Sequence, residues 1–460
     1  MGADVSKKEE VKPISLWVII LTVIAVVYAL SFIIPAGEYQ RAGRMAIPGT
    51  YKVISKIYLS PFKVILGMGQ QAYKSFGGLF ISIIVMGGLM GIVNSTKVID
   101  RSLRILINKL KDKAFMIIPF FIFAMGLFGC FGTMISSAVL FIPLGLSIAK
   151  QLHADRTFGV ALIIMGSFTG FMTSPINMLT VIMGQEIAGV TPYSGAGLRT
   201  IVTVIDLAVV SAFLIYWAKK AAKSNAYEES FGNDPVETEV NVEENLHLSG
   251  RDVAVLVLFL CSLMFFAIGS PMFKFGVLHL ASIMLPVALL CGVISGYDLD
   301  TTMKYFAKGA AGLLPVIIFM LFVSIMSVIL NQSKILDTIV YYAAMPLSSM
   351  SKSFAAIGMF VANAFINIFI TSGSGQTAVV MPIMAPLADV LGISRQMAIF
   401  TLQCGDGFTN LMTPTSANLL PCLLVGGVTL KQWYKFIFRC YGLIFIVLCA
   451  AIMVGTAIGY

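Results

Sequence analysis

The sequence predicts an all-α polytopic membrane protein made of two repeats, each with a re-entrant hairpin and a broken transmembrane helix. Three observations carry that expectation. Of 460 residues, 58% are hydrophobic and 12% charged, and mean hydropathy is +0.92, which excludes a water-soluble globule. Residues 143–177 align without gaps onto 382–416, a constant offset of 239, with Pro143/Pro382, Ala149/Ala388, Leu152/Leu391, Arg156/Arg395, Gly166/Gly405 and Pro175/Pro414 identical. Chance would give roughly two or three identities in so apolar a chain; the kind of residue, backbone-shaping rather than lipid-filling, is what persuades. Finally, Gly, Pro and hydroxyl residues interrupt the aligned stretches in both halves, the pattern that marks binding sites between membrane repeats.

Each crossing needs about 20 apolar residues. Apolar stretches lie at 15–36, 76–96, 114–128, 156–190, 198–218, 253–270, 278–296, 312–330, 353–369, 395–428 and 433–458. The first follows a short tail, 1–14, whose Lys7, Lys8 and Lys12 place it on the cytoplasmic side of a multi-pass protein of the cytoplasmic (inner) membrane. It is too long, and lacks a small-residue cleavage site, to be a removed signal. Residues 15–218 form the first repeat and 253–460 the second. Between them, 219–252 carries Lys219, Lys220 and Lys223 and then an acidic run through Glu244. Without apolar periodicity it reads as a flexible, cytoplasmic charged linker.

The net charge of +9 belongs to positive loops at an anionic lipid surface rather than to nucleic acid binding. Lys97, Arg101, Arg104, Lys109, Lys111 and Lys113 alternate with Ile and Leu as in an interfacial amphipathic helix. Seven scattered cysteines lack metal or CxxC spacing and read as small core residues; no cofactor is expected. In each half a span, an amphipathic stretch (61–75; 301–311) and a second span precede an Asn…Lys…Asp segment, Asn94-Ser-Thr-Lys-Val-Ile-Asp100 or Asn331-Gln-Ser-Lys-Ile-Leu-Asp337. Another span, a hairpin, a broken span and a final span follow. Six crossings then separate the hairpins, whereas inverted topology needs an odd number, so 253–270 or 278–296 is not a simple crossing.

Irregular backbone at membrane depth requires a protein or water lining. Four stretches qualify. Hairpins are expected at about 129–150 and 371–392, and helix breaks within 156–190 and 395–428. Half-helix ends would offer N–H groups to an anion, while unwound carbonyls and side-chain oxygens would hold a cation. Close helix packing accounts for Gly87, Gly88 and Gly91 but not for the density of hydrogen-bonding groups in Ser372-Gly-Ser-Gly-Gln376. Ser372, Ser374, Gln376, Thr377, Asn410, Thr413, Thr415 and Ser416 are expected to face one midplane site. Ser136, Ser137, Thr173, Ser174 and Asn177 face it from the other half.

Ionisable residues within spans are functional candidates. Asp406, between two glycines, is the foremost; Ser167 is its aligned partner. Asp206 lies seven residues after Arg199, nearly on one helix face, where an ion pair would explain both. Glu186 is either pore-lining or interfacial. Arg156 and Arg395 open the broken spans, where snorkelling to lipid phosphate is expected.

Residues 371–389, continuing through Gln403-Cys-Gly-Asp-Gly-Phe-Thr-Asn410 and Pro414-Thr-Ser416, with Ile34-Pro-Ala-Gly-Glu-Tyr39 upstream, resemble the YfcC-type branch of the anaerobic C4-dicarboxylate carrier family. The resemblance covers most of the chain. It implies the ion transporter superfamily, with inverted repeats, two re-entrant hairpins, frequent homodimers and elevator-like movement of a transport core. It also implies a small charged substrate, with basic amino acid exchange such as arginine for ornithine commonly assigned to the branch. Relatives carry C4-dicarboxylates, short-chain fatty acids or aminobenzoyl-glutamate, and sodium or a proton is the coupling ion to consider. Arginine-type relatives have acidic residues near the first hairpin tip; here that place reads Met134-Ile-Ser-Ser137. Recognition of a positive substrate group would then fall on Asp406. Without arginine or lysine near the midplane, such a site suits one carboxylate better than two. That favours an amino acid over a dicarboxylate. An intramembrane serine protease built on Ser374 would need a base, and His153, His247 and His279 are not spaced to supply one. A channel would need repeated filters or charged rings.

Overall fold

In lipid each backbone polar group must be satisfied within the protein, which makes apolar segments helical. The computed structural model describes residues 16–42, 45–47, 49–99, 101–102, 105, 109, 111–132, 135–232, 247–273 and 275–460, and these are mostly helical. Among them six helical segments are long and apolar enough to cross a membrane: Leu16–Ile33, Phe76–Ser95, Arg156–Ala188, Ala196–Ala221, Leu299–Gln332 and Leu430–Ala457. The tail 1–14, the linker centre and most of the basic stretch from Asp100 to Leu110 lie outside the described residues.

Helix α1 (Leu16–Ile33) runs into a polar excursion with four two-residue strands. β1 (Gly37–Glu38) pairs with β4 (Lys52–Val53), and β2 (Arg41–Ala42) with β3 (Met45–Ala46), both antiparallel. The chain is therefore not purely helical, as its apolar periodicity suggested. α2 (Pro61–Ser95) begins with a proline at its first turn and is capped by Ser60. It joins the amphipathic stretch and the span after it into one helix of 35 residues. α3 (Ile117–Cys130), a 3₁₀ turn (Ile135–Phe141) and α4 (Ile142–Gln151) precede α5 (Arg156–Thr173). A break, a π-helical turn (Met178–Ile182), α6 (Met183–Ala188), α7 (Ala196–Ala221) and α8 (Ala226–Phe231) follow. The start of the expected linker is thus folded, with Phe231 buried beneath Arg156, 4.6 Å from its ring centroid.

The second half has α9 (Gly250–Phe273), α10 (Val277–Ile294), α11 (Leu299–Gly312), α12 (Leu314–Gln332) and α13 (Leu336–Ala344). Next come α14 (Lys352–Asn367), α15 (Gly373–Val390), α16 (Arg395–Asn410), α17 (Leu419–Gly426) and α18 (Leu430–Ala457). Residues 371–392, expected to form a hairpin, are thus essentially the single helix α15. Pro382 and Pro386 lie inside it without ending it, contrary to the punctuation rule that suggested a turn. α14, expected as an independent span, is the other arm, and the tip lies at 368–372. The arms touch there, with Gln376 Nε2 donating to the Asn363 carbonyl at 2.8 Å.

α5 packs against α3, α4, α7 and α16, and α16 packs against α14, α15, α18 and α5. Small residues set the closest crossing. A Cβ on Gly129 would sit 1.9 Å from the Ser167 carbonyl oxygen, and one on Gly170 1.9 Å from that of Gly126, so α3 and α5 meet backbone to backbone. Large apolar residues such as Phe120 and Phe354 face outward, an arrangement suited to lipid.

The aligned stretches correspond in conformation as well as order. His153 and Gly392 both take left-handed φ, at 52° and 66°, and so do Lys97 and Lys334 of the Asn…Lys…Asp segments, both at 56°. Asp155 caps α5 through Phe158 N, and Ser394 caps α16 through Met397 N. Arg395 Nη1 donates to the Ala188 carbonyl at the end of α6 at 2.6 Å. Arg156 Nη1 reaches the Gly426 carbonyl at the end of α17 at 3.5 Å. Both arginines, expected to snorkel, thus cap the far end of the other broken helix, where a cation suits the terminal carbonyls. Arg395 also pairs with Asp389 at 2.7 Å, and its hydrogen bond holds that carboxyl below its ordinary range. Cys130, Cys291, Cys404, Cys422 and Cys440 are buried as expected, whereas Cys261 is exposed.

Candidate functional site

A cavity of about 610 Å³ opens between α2, α12, the tip before α15, and α16. Ser372, Ser374, Asp406 and Asn410 of the expected set line it, joined by Gln71, Lys74, Ser327, Asn331, Thr371 and Asn418. Besides Gln71 and Lys74, the first half contributes apolar wall, including Phe168, Phe171, Leu179 and Ile135. Among the described residues, Lys74 and Asp406 are the charged side chains in this lining. A lysine therefore does face the candidate site, contrary to the expectation of none. It was missed because α2 was read as ending its amphipathic stretch at residue 75, before the span began.

Asp406 is fully buried. Its Oδ1 accepts from Asn367 Nδ2 at 2.6 Å and from Asn410 Nδ2 at 2.8 Å. Asp406 Oδ2, Asn367 Oδ1 and Asn410 Oδ1 are buried acceptors without a hydrogen-bond partner. Three unsatisfied oxygens on one hydrogen-bonded triad form a site short of donors, costly unless a cationic group supplies them. Oδ2 turns toward the start of α15: a Cβ on Gly373 would stand 2.7 Å from it. The positive end of α15's dipole faces the carboxylate there. Asn367 escaped the sequence reading, although Asn363 and Asn367, four apart in an apolar stretch, were the available signal.

The remaining expected residues are engaged within the protein, mostly by the backbone, except Asn177 Nδ2, which is buried without a partner. Gln376 Oε1 accepts from Asn367 Nδ2 at 2.9 Å, placing it behind the triad rather than in the cavity. Thr377 and Thr173 hydroxyls donate one turn back to the Gly373 and Thr169 carbonyls. Ser174 Oγ donates to the Cys130 carbonyl at 2.7 Å, and Asn177 Oδ1 accepts from Leu179 N and Thr180 N. Thr413 and Thr415 bond each other at 2.8 Å, and Ser416 Oγ accepts from Asn418 N and Leu419 N. The side chains of Ser136 and Ser137 lie outside the described residues. Glu186 is exposed at the end of the first broken helix and does not line the cavity. Among the described residues no three His, Cys, Asp or Glu side chains cluster as a metal would require.

Gln403 ties the two breaks together. Its Nε2 donates to the Phe171 and Ser174 carbonyls at 3.0 and 2.9 Å, and its Oε1 accepts from Arg199 Nε at 3.1 Å. The Phe171 carbonyl loses its helical donor because Pro175 has no N–H, and the Ser174 carbonyl lies beyond the last helical residue, Thr173. Gln403→Leu should leave three buried polar groups unpaired and lower stability by roughly 2–3 kcal/mol. A clear fall in apparent Tm of the detergent-solubilised protein would register it; an unchanged Tm would mean that water replaces the amide.

A family model, "C4-dicarboxylate anaerobic carrier", matches residues 14–457. The chain belongs to this carrier family. It is a multi-pass membrane protein of a family of transporters, not of enzymes. The carrier is 29% identical over 405 residues to YfcC of Escherichia coli K12, named provisionally as a basic amino acid antiporter, covering 84% of this chain and 79% of that protein. It is 26% identical over 416 residues to an uncharacterised protein of Haemophilus influenzae, covering 88% and 80%. Among solved structures it is similar to MtrF of Neisseria gonorrhoeae, described among antimetabolite efflux pumps, at 16% identity and TM-score 0.48, covering 97% and 96%. It is also similar to the YdaH transporter of Alcanivorax borkumensis, at 14% identity and TM-score 0.46, covering 97% and 99%.

Proposed function

We propose that this carrier exchanges basic amino acids, arginine for ornithine or a close equivalent, across the cytoplasmic membrane. The observation that carries the reading is the triad of unpartnered oxygens on Asp406, Asn367 and Asn410 at a cavity whose other charged side chain is Lys74. An ammonium or guanidinium group supplies the donors that the triad lacks. A carboxylate on the same molecule finds Lys74. Arginine or ornithine carries two cationic groups and one carboxylate, so with Asp406 and Lys74 cancelling it leaves the occupied cavity with one net positive charge, whereas a dicarboxylate would leave two net negative charges beside Asp406. The provisional name of the Escherichia coli relative points the same way. The paired conformations of the aligned stretches support two inverted repeats, and with them an elevator movement of the hairpins and broken helices. A homodimer and a sodium or proton coupling step belong to the same proposal.

Counterflow tests the substrate. Proteoliposomes loaded with unlabelled arginine or ornithine should accumulate labelled arginine faster than empty ones. Acceleration by succinate or butyrate and by no amino acid would instead assign the carboxylate chemistry in the family's name. Lys74→Gln tests the carboxylate contact. Affinity for arginine should fall roughly ten-fold, about 1.4 kcal/mol, while affinity for agmatine, which lacks the carboxylate, stays the same. Equal loss for both ligands would remove Lys74 from substrate recognition.

A further inference from the structure

Asp206 lies in the interior of α7, away from the cavity, fully buried, and both of its carboxylate oxygens lack a hydrogen-bond partner. The ion pair with Arg199 that the seven-residue spacing suggested is not formed. Arg199, itself fully buried, spends its donors on Gln403 Oε1, the Tyr460 hydroxyl and the Gln396 carbonyl. The two residues stand about 10 Å apart along the helix. The hydroxyl of Thr203, one turn below Asp206, is committed to the Thr173 and Arg199 carbonyls.

The titratable groups toward Asp206 from the packed elements are Cys404 of α16 and Cys440 of α18. α3 carries Cys130, whose Sγ donates to the Gly170 carbonyl, and α5 carries no ionisable side chain between Arg156 and its end. α7 itself offers only the committed Arg199 nearby. Among the described residues no three His, Cys, Asp or Glu side chains gather there to hold a metal ion. A bare carboxylate finds no donor either. Only a proton satisfies the group without further ligands.

We propose that Asp206 is a proton-binding site of the carrier, separate from the Asp406 cavity, loaded in this conformation. Its position gives the proton a route to influence transport. Cys404 stands two residues before Asp406 on α16, and Gln403 is bonded to Arg199 of α7. Any displacement of α16 against α7 therefore changes what surrounds Asp206, and its proton is released when that contact opens to water or to a cation. The inference names an ion for the coupling step and does not depend on the substrate being an amino acid.

Infrared absorption of the protonated carboxylic acid carbonyl, followed in reconstituted full-length protein as the pH is raised, tests this without any substrate. Wild type should show a titrating acid band that Asp206→Asn lacks and that Asp406→Asn leaves in place. An unchanged band in Asp206→Asn would overturn the proposal. Where Asp206→Asn fails to fold, Asp206→Leu, of similar size and apolar, takes its place, and failure of both to give a monodisperse protein assigns Asp206 to packing and also overturns it. In counterflow with arginine, the pH profile should flatten in the variant and return in Asp206→Glu. Inert arginine with an intact band would sink the substrate reading alone.

Discussion

Asp406→Asn should lower arginine counterflow at least about 100-fold while leaving a folded, monodisperse protein. The new amide oxygen can still accept from Asn367 and Asn410, so the triad keeps its shape. What disappears is the negative charge facing the bound cation. Removing one partner of a buried, hydrogen-bonded charge pair costs about 2–5 kcal/mol, and 3 kcal/mol is somewhat more than 100-fold in affinity. Labelled arginine counterflow, with size-exclusion and thermal profiles as controls, reads the outcome. Flux within a few-fold of wild type would mean that Asp406 only braces the hairpin tip.

The largest effect on folding is expected at the α3–α5 crossing. Gly129→Val places a Cβ where the Ser167 carbonyl oxygen already stands, 1.9 Å away, and the obstacle is backbone rather than a flexible side chain. Overpacking costs typically 1–3 kcal/mol when side chains can yield. Here two helices must separate, and α5 carries with it the break held by Gln403. Little or no monodisperse protein should be recovered from the membrane, whereas Gly442→Val, where the added Cβ meets nothing within 4 Å, should be recovered normally. Normal yield of both would show that the crossing tolerates a wider spacing.

Much of the fold was legible because the responsible forces act locally. Pro175 and Pro414, identical in the aligned stretches, remove donors where α5 and α16 stop, and the helices that open at the aligned Arg156 and Arg395 are capped by Asp155 and Ser394. Hairpin arms were misread for the opposite reason. Pro382 and Pro386 look like breakers, yet α15 tolerates them because tertiary packing holds the helix on either side. Likewise the amphipathic start of α2 carries Gln71 and Lys74, which in lipid would argue against a span but which face a cavity. The site itself was half visible. Asp406 and Asn410 stand in a motif and Asn367 lies just upstream of it, whereas Lys74 reaches the same place from a helix remote in sequence, and only packing brings it there. Thr173, Ser174 and the Asn177 Oδ1 have the composition of a binding loop but serve the backbone that the break exposes, while Asn177 Nδ2 is buried without a partner.

The crossed arginine caps have a mechanical consequence. Arg395 grips the far end of the first broken helix, and Arg156 that of the second, so the two form a closed linkage rather than a pair of independent rods. A push along the membrane normal applied to either helix is transmitted to the other at both ends. Sliding one past the other requires both grips to let go at once, while carrying the pair together requires neither to. The linkage resists shear within the pair, so a displacement of either broken helix relative to α7, α2 or α12 is expected to carry the other with it.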